Sequence, residues 1–390
     1  MPTRRNILTG IGLAAVVSSG AAIATAESSA AAPVEDDVYL DSYAGTDDQR
    51  LTQALAAVQA SNPRKAIRLS GRNHTFTQTR QTFSGLRIVG PNVGWQNPEI
   101  GGTSGALPQC NVTLNCGTGA SSWLVGTATT YDVLVAGITF KSSNGNTQFY
   151  HHPYSGGTCY AGTFDTLTFY GFKHVLGMPA DGFSMTLCTT SGPWTCVAVQ
   201  DTQFTLRGSD NWLWTNGVMN YGWAGANGGK YLMRFATLSK TCVANLYLTA
   251  RGGSRCILIE AGGTYQGGLD FRDCVLEGQN AGDPAMGALV VVKSGGASFT
   301  NTKLNFGMAR PTDFTDQVDK ALIMVQDGTV LLTNTWTCRA NATAETVPIM
   351  AATGGTVYVD RMIGMGGVWA GKPGVRSTGT LVSDASVRLM

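Results

Sequence analysis

The residues of this chain best placed for chemistry are charged side chains that sit where short apolar strands end. Arg251, Arg255 and Glu260 belong to one such segment and Lys293 to the next. Glu260 closes the apolar run at 256–259, and Lys293 closes the run at 289–292. If the two runs are neighbouring strands, their last side chains stand about 5 Å apart, the interstrand spacing. A carboxylate and an ammonium at that separation supply a base and a charge neutraliser for β-elimination from a uronic acid. One group takes the α-proton while the cation stabilises the enolate-like charge. The same residues read equally well as solvated ion pairs on the wall of the fold. A second group is aromatic: Trp212, Trp214, Tyr221 and Trp223 crowd one stretch. Such rings stack on sugars by offering an apolar face with a polar rim. Packing of each ring against the protein body is the alternative.

The element that must position these residues is a repeat. Residues 295–306, GGASFTNTKLNF, read as strand, two-residue bend, strand, with Phe299, Thr302 and Leu304 as its marked positions. The pattern recurs at Val135/Ile138/Phe140, Phe164/Leu167/Phe169, Val199/Thr202/Phe204, Val243/Leu246/Leu248 and Phe271/Cys274/Leu276. It returns downstream at Leu332/Thr335/Thr337 and Val359/Met362, giving eight copies. The bends carry pairs such as Asp165-Thr166, Arg272-Asp273, Thr300-Asn301 and Thr333-Asn334, rich in residue types that bond their own backbone and tolerate left-handed φ. Glycine turns precede several copies, at Gly267-Gly268, Gly295-Gly296, Asp327-Gly328 and Gly354-Gly355, and a further apolar run lies before three of them.

First positions of successive copies lie 29, 35, 44, 28, 28, 33 and 27 residues apart, a floor with insertions above it. A solenoid has this property, because each coil buries its inward side chains only by stacking on its neighbours, while one loop per coil is free to lengthen. Three strands per coil with small bends predict an all-β right-handed parallel β-helix. A sandwich also suits short strands and turns, but gives no reason for the bend to return at a fixed phase.

Composition agrees. The chain has 390 residues, 43% hydrophobic and 13% charged, with 50 glycines, enough for a large core with little surface ionisation. Residues 1–26 read as an export signal of the twin-arginine type: Arg4-Arg5 precede an uncharged apolar segment that ends at Ala24-Thr25-Ala26. Secretion is therefore expected, with residues 27–36 as a linker and 37–390 as one β-helix domain. No other segment is long and apolar enough to span a bilayer. Loss of Arg4 and Arg5 takes the basic residues from 27 to 25, against 25 acidic ones, so nothing steers nucleic acid. Nine cysteines in an exported chain favour disulfides. Cys110 with Cys116 and Cys188 with Cys196 are near enough in sequence to staple loops, while Cys274 falls on a marked position and reads equally well as a buried apolar residue. No Cys or His spacing resembles a zinc site, and no metal or other cofactor is predicted.

Near the N-terminus, Asp47-Asp48 opens a helix to about Ala60, with Leu51, Ala54, Leu55 and Val58 on one face and its acids where the dipole favours them. It has the size to plug the open end of a β-helix. Coils are expected over about 65–364 and a C-terminal cap over about 365–390. With TDDQRLTQALAAVQA followed by KAIRLSGRNHTF, the chain resembles the pectate-lyase-like superfamily, in which an acidic-capped helix and a Gly-turned strand lead into the coils. The resemblance covers the cap closely and the coils by pattern. It implies an extracellular polysaccharide as partner. The Asn-x-Asp, paired Asp-Asp and Gly-His-Gly that polygalacturonase-like hydrolases need on neighbouring coils are missing there, apart from an echo of the first at Pro179-Ala180-Asp181-Gly182. If the activity is a lyase, a calcium ion at Asp270, Asp273 and Glu277 is conceivable, although Asp273 is more simply a bend residue. His151-His152 reads as a solvated loop. The leading expectation is a secreted β-helix acting on a polysaccharide, with lyase chemistry ahead of hydrolase. The alternative is a non-catalytic glycan-binding or fibre-like module on the same scaffold.

Overall fold

The computed structural model describes residues 37–61, 65–92, 110–117, 121–144, 147–152, 157–172, 175–176, 185–186, 189–191, 194–198, 204–210, 213–221, 231–239, 241–250, 255–260, 269–278, 288–306, 323–339, 350–352, 354–365, 375–377, 380–383 and 388–389. Of residues 185–221, 236–239, 250, 255, 306, 337–339, 350–352 and 362 onward, the description is of the backbone. The expected export signal and linker lie outside it.

Among the described residues, strands form a 21-stranded, a ten-stranded and a three-stranded sheet, and every pairing is parallel. The protein is a right-handed parallel β-helix, all-β apart from the helix Asp47–Ala60 and a short 3-10 turn at Leu40–Ser42. Val243, Phe271, Phe299, Leu332 and Val359 follow one another in register on successive coils. All are buried in one continuous core that also holds Phe164. Phe271 and Phe299 stack with ring centroids 4.9 Å apart and planes 5° from parallel. Burying such a ring contributes roughly 1.5–3 kcal/mol, which is gained only when the adjacent coil is in place.

The bends behave as their residue types require. Thr166, Asn245, Asp273, Asn301 and Asn334 take φ of 50°, 52°, 54°, 51° and 48°, at the second bend position of their copies. Asn334 donates from Nδ2 to Asn301 Oδ1 at 2.6 Å, and Asn301 donates to Asp273 Oδ1 at 3.2 Å, so the bends are laced along the axis. At the glycine turns Gly328 (φ 116°) lies so close to Gly295 that a Cβ on it would stand 2.2 Å from a carbonyl oxygen.

The helix forms at its predicted bounds, opened by a Thr46–Gln49 capping box, and Leu51, Ala54 and Val58 face the core. Its acids have a second task. Asp47 accepts from Thr75 N–H at 2.8 Å and from Arg72 at 2.7 Å, and Asp48 accepts from the Thr77 N–H and hydroxyl at 2.8 and 2.6 Å. Arg72 also holds Asp41 at 2.6 Å, so one guanidinium ties the segment before the helix and the helix itself to the first coil. The Arg72 bonds bring the Asp41 carboxyl down to about 2. Burial pushes Asp47 up, but its bonds to Arg72 and Thr75 outweigh this and hold it below the usual range.

Several expectations need correction. The interval between Val199 and Val243, read as one insertion, contains strands Phe204–Asp210, Leu213–Tyr221 and Tyr231–Ser239. Phe204 opens a strand of the ten-stranded sheet, paired with Met233, so the copy at Val199/Thr202/Phe204 is out of phase. The true register runs Phe164, Thr190, Trp214, Val243. Pattern reading misses these coils because Thr190 replaces an apolar residue and Gly217 stands at the marked position that Leu246 fills one coil later. Residues 365–390, expected as a cap, include Val375–Ser377, Thr380–Ser383 and Arg388–Leu389, which stack as strands of a further coil.

Cys110 and Cys116 are free thiols and buried, with burial pushing them up to about 12 and about 11. They flank the extended strand Asn111–Leu114. At about 3.3 Å per residue this holds them far beyond the ~4.4–6.8 Å between Cα atoms that a disulfide needs. Cys159, Cys242, Cys256 and Cys274 likewise form no disulfide among the described residues, while Cys188 lies outside them. Cys274 is buried, as its position implies. His151 ends a strand, and His152 is fully buried against Tyr150, whose hydroxyl lies 3.2 Å from Nδ1. Gly126 leaves the space for that ring, since a Cβ there would meet Nδ1 at 2.1 Å.

Candidate functional site

On the ten-stranded sheet the strand Arg255–Glu260 pairs with Tyr231–Ser239 on one side and Val290–Ser294 on the other. Register slips at its end: Ile259 faces Val292, but Glu260 faces Ser294, so Lys293 is the extra residue of a bulge. Lys293 Nζ reaches Glu260 Oε1 at 2.7 Å, which brings together the pair that spacing alone suggests. Arg234, absent from the sequence-based candidates, completes the group: its Nε donates to Glu260 Oε2 at 2.6 Å. The signal for it was available, since Arg234 alternates between the inward, fully buried Met233 and Phe235.

Burial pushes the Glu260 carboxyl up, yet the hydrogen bonds from Lys293 and Arg234 prevail and hold it below the usual carboxylate range. A carboxylate clamped by two cations is a weak base, so the geometry fits the neutralising half of the expected pair better than the proton-abstracting half. One acid is thus held by two cations. Lys293 is half exposed and Arg234 partly exposed. The neighbouring outward positions are apolar: Leu258 and Val291 follow Arg234 in register and are packed with Ala288, Tyr231 and Met324. That strip is what desolvates one flank of the clamp.

The remaining candidates separate. Arg255 lies on the same strand, its backbone in register with Tyr231, but its side chain is outside the described residues, as is all of Arg251. Trp214 and Tyr221 belong to Leu213–Tyr221, in register with Val243 and Ala198. They therefore sit on a coil strand of the 21-stranded sheet, and their side chains are outside the description. Trp212, Trp223 and Asp181 lie outside it altogether.

The three carboxylates considered for calcium have separate partners. Asp270 pairs with Arg272 at 2.5 Å and accepts from Ser298 at 2.6 Å. Asp273 belongs to the bend ladder, and Glu277 accepts from the Tyr247 hydroxyl. They do not converge, and no grouping of three or more His, Cys, Asp or Glu suited to a metal occurs among the described residues. The donor set does not fit a calcium ion there.

No protein-family model matches the chain, and no curated protein matches it. Among solved structures it is similar to DFA-IIIase from Arthrobacter chlorophenolicus A6 in complex with GF2, with TM-score 0.57 and 11% identity over 91% of this chain and 93% of that one. It is similar to the A-module of mannuronan C-5 epimerase AlgE4 from Azotobacter vinelandii, with TM-score 0.53 and 12% identity over 90% and 96%. It is also similar to tailspike protein 3 of bacteriophage CBA120, with TM-score 0.50 and 8% identity over 91% of this chain and 61% of that one. At these identities the likeness is one of fold.

Proposed function

We propose that this is an exported protein acting on an extracellular polysaccharide, and that its glycan carries uronate or similar acidic groups. The observation that carries the reading is the Arg234–Glu260–Lys293 clamp: two cations on one acid across three strands of one sheet, flanked by apolar side chains, with Lys293 half exposed. Glu260 orients the two cations, and the half-exposed Lys293 ammonium meets a glycan carboxylate. In the enzymatic form of this reading, Lys293 and Arg234 neutralise a uronate during β-elimination. The proton then goes to a base other than Glu260. The fold is shared with proteins described as a mannuronan epimerase and a DFA-IIIase, which supports a carbohydrate as partner without choosing the reaction.

The second reading, a glycan-binding module without catalysis, is favoured by one feature, the engagement of Glu260 by both cations. Incubating the protein with uronate-containing and neutral glycans, while following absorbance of an unsaturated product together with reducing ends, separates the two. New absorbance that Lys293→Ala abolishes establishes the lyase, and reducing ends without absorbance indicate a hydrolase. Binding without either signal establishes the module. Absence of both binding and turnover across the panel defeats the proposal.

A further inference from the structure

A second feature on the ten-stranded sheet is unused by the clamp. Tyr131 and Tyr160 end the strands Thr130–Tyr131 and Cys159–Tyr160, pair in register, and stack with centroids 5.4 Å apart and planes 19° from parallel. Tyr131 is 55% exposed, the largest exposure among the described large hydrophobics. On its other side lies Ser84, whose hydroxyl accepts the Tyr131 N–H at 3.1 Å and is too short to cover a ring. The backbone is left-handed immediately after each tyrosine, at Asp132 (φ 57°) and Ala161 (φ 53°). Alanine has no side-chain oxygen to ease that conformation, so the turn is held at a cost.

Coil closure does not ask for tyrosine here. Each tyrosine lies four residues before the first position of its copy, Val135 and Phe164. Later coils place Gly295, Gly328 and Gly355 at that same phase, before Phe299, Leu332 and Val359, and close without a side chain. The row continues from Tyr160 in backbone register through Thr186, Asp210 and Ser239. From the strand of Tyr160 to that of Glu260 the sheet advances by four strands, roughly 19 Å at the usual spacing. Both features lie on one sheet but are offset along its strands: the Tyr160 row reaches the strand Tyr231–Ser239 at its last residue, whereas Arg234 is its fourth, and Glu260 lies one past Ile259, the partner of Phe235.

We infer that Tyr131 and Tyr160 form a sugar-stacking platform, and that the glycan runs along the solenoid axis from this platform to the Arg234–Glu260–Lys293 clamp. The inference rests on the function proposed above and deepens it: the ligand is an acidic oligosaccharide long enough to span both features. A ring face open over Ser84 takes the apolar face of a sugar, and the cations take a carboxylate farther along.

The test is calorimetric binding of uronate oligosaccharides of increasing length. In the unaltered protein, affinity is expected to rise once the oligomer spans the two features. In Tyr131→Ala this rise is lost, roughly tenfold for long oligomers, while short oligomers bind as before; Tyr131→Phe keeps the rise. Nitration of Tyr131 in the unaltered protein is slowed by the long oligomer and not by the short one, a readout that needs no variant to fold. If Tyr131→Ala binds long oligomers as tightly as the unaltered protein, or nitration is unprotected, the platform is wrong while the clamp stands. If no acidic glycan of any length binds the unaltered protein, the function itself falls.

Discussion

Two charge clusters in this molecule use the same residue types to opposite ends. At the N-terminal cap two arginines meet two acids: Arg72 lies between Asp41 and Asp47, Arg50 adds a second bond to Asp41 at 3.1 Å, and Thr75 N–H and Ser70 donate as well. On the ten-stranded sheet one acid, Glu260, lies between two cations. In the first, the carboxylate bonds tie the segment before the helix, the helix and the first coil to one another. In the second, the bonds align two cations on one acid, and Lys293 keeps about half of its side chain in water. Pairing alone does not tell a lock from a site; what the bonds join, and how far the paired cation stays exposed, do.

The largest expected effect breaks the lock. Arg72→Ala leaves Asp41 with Arg50 alone and Asp47 with the Thr75 N–H beside the buried His74, and should lower unfolding stability by about 1–2 kcal/mol, moderated because Arg72 and Asp41 each keep about a third of their side chains in water. Denaturant unfolding measures this, and glycan binding should be unchanged. The same lock carries an acid signature. Asp41 and Asp47 are held below their unfolded values, so the folded protein binds fewer protons than the unfolded chain. Their stabilisation is present above about pH 4 and lost as pH falls toward about 2. His152 adds an earlier step, because burial brings it down to about 4 and its charging in the unfolded chain erodes stability as pH falls from about 6.5. Melting curves across this range should show both, and Arg72→Ala should flatten the lower one.

On the sheet the order is reversed. Lys293→Ala should cost less than about 1 kcal/mol of stability, as exposed pairs do, while weakening acidic-glycan binding about tenfold. A stability loss equal to that of Arg72→Ala with binding intact would make both clusters locks. The smallest effect sharpens the contrast: Glu260→Gln removes the negative charge that Lys293 and Arg234 hold. Affinity for an acidic glycan should hold or rise a few-fold, with steeper salt dependence, and neutral glycans should be indifferent. A fall to the Lys293→Ala level would mean that Glu260 touches the substrate itself.

How far these features were legible differs between scaffold and site. The bend ladder was readable because left-handed φ at Asn301 and Asn334 restricts residue type, and the inward column because apolar side chains recur at its phase. The coil at Trp214 was missed where Gly217 interrupts the pattern, since register is inherited from neighbouring strands as much as from a strand's own residues. The histidines were misplaced because local polarity says nothing about the cavity that Gly126 opens from another strand.

The sequence by itself determined the solenoid, its capping helix, and the closeness of Glu260 and Lys293, since each follows from short-range periodicity and from a fixed strand spacing. Only the tertiary structure decided that a bulge turns Lys293 onto Glu260, that Arg234 joins them, and that two tyrosines stack four strands away. These depend on which coil lies beside which, and stacking order is set by the shared core, to which every coil contributes and which no single stretch encodes.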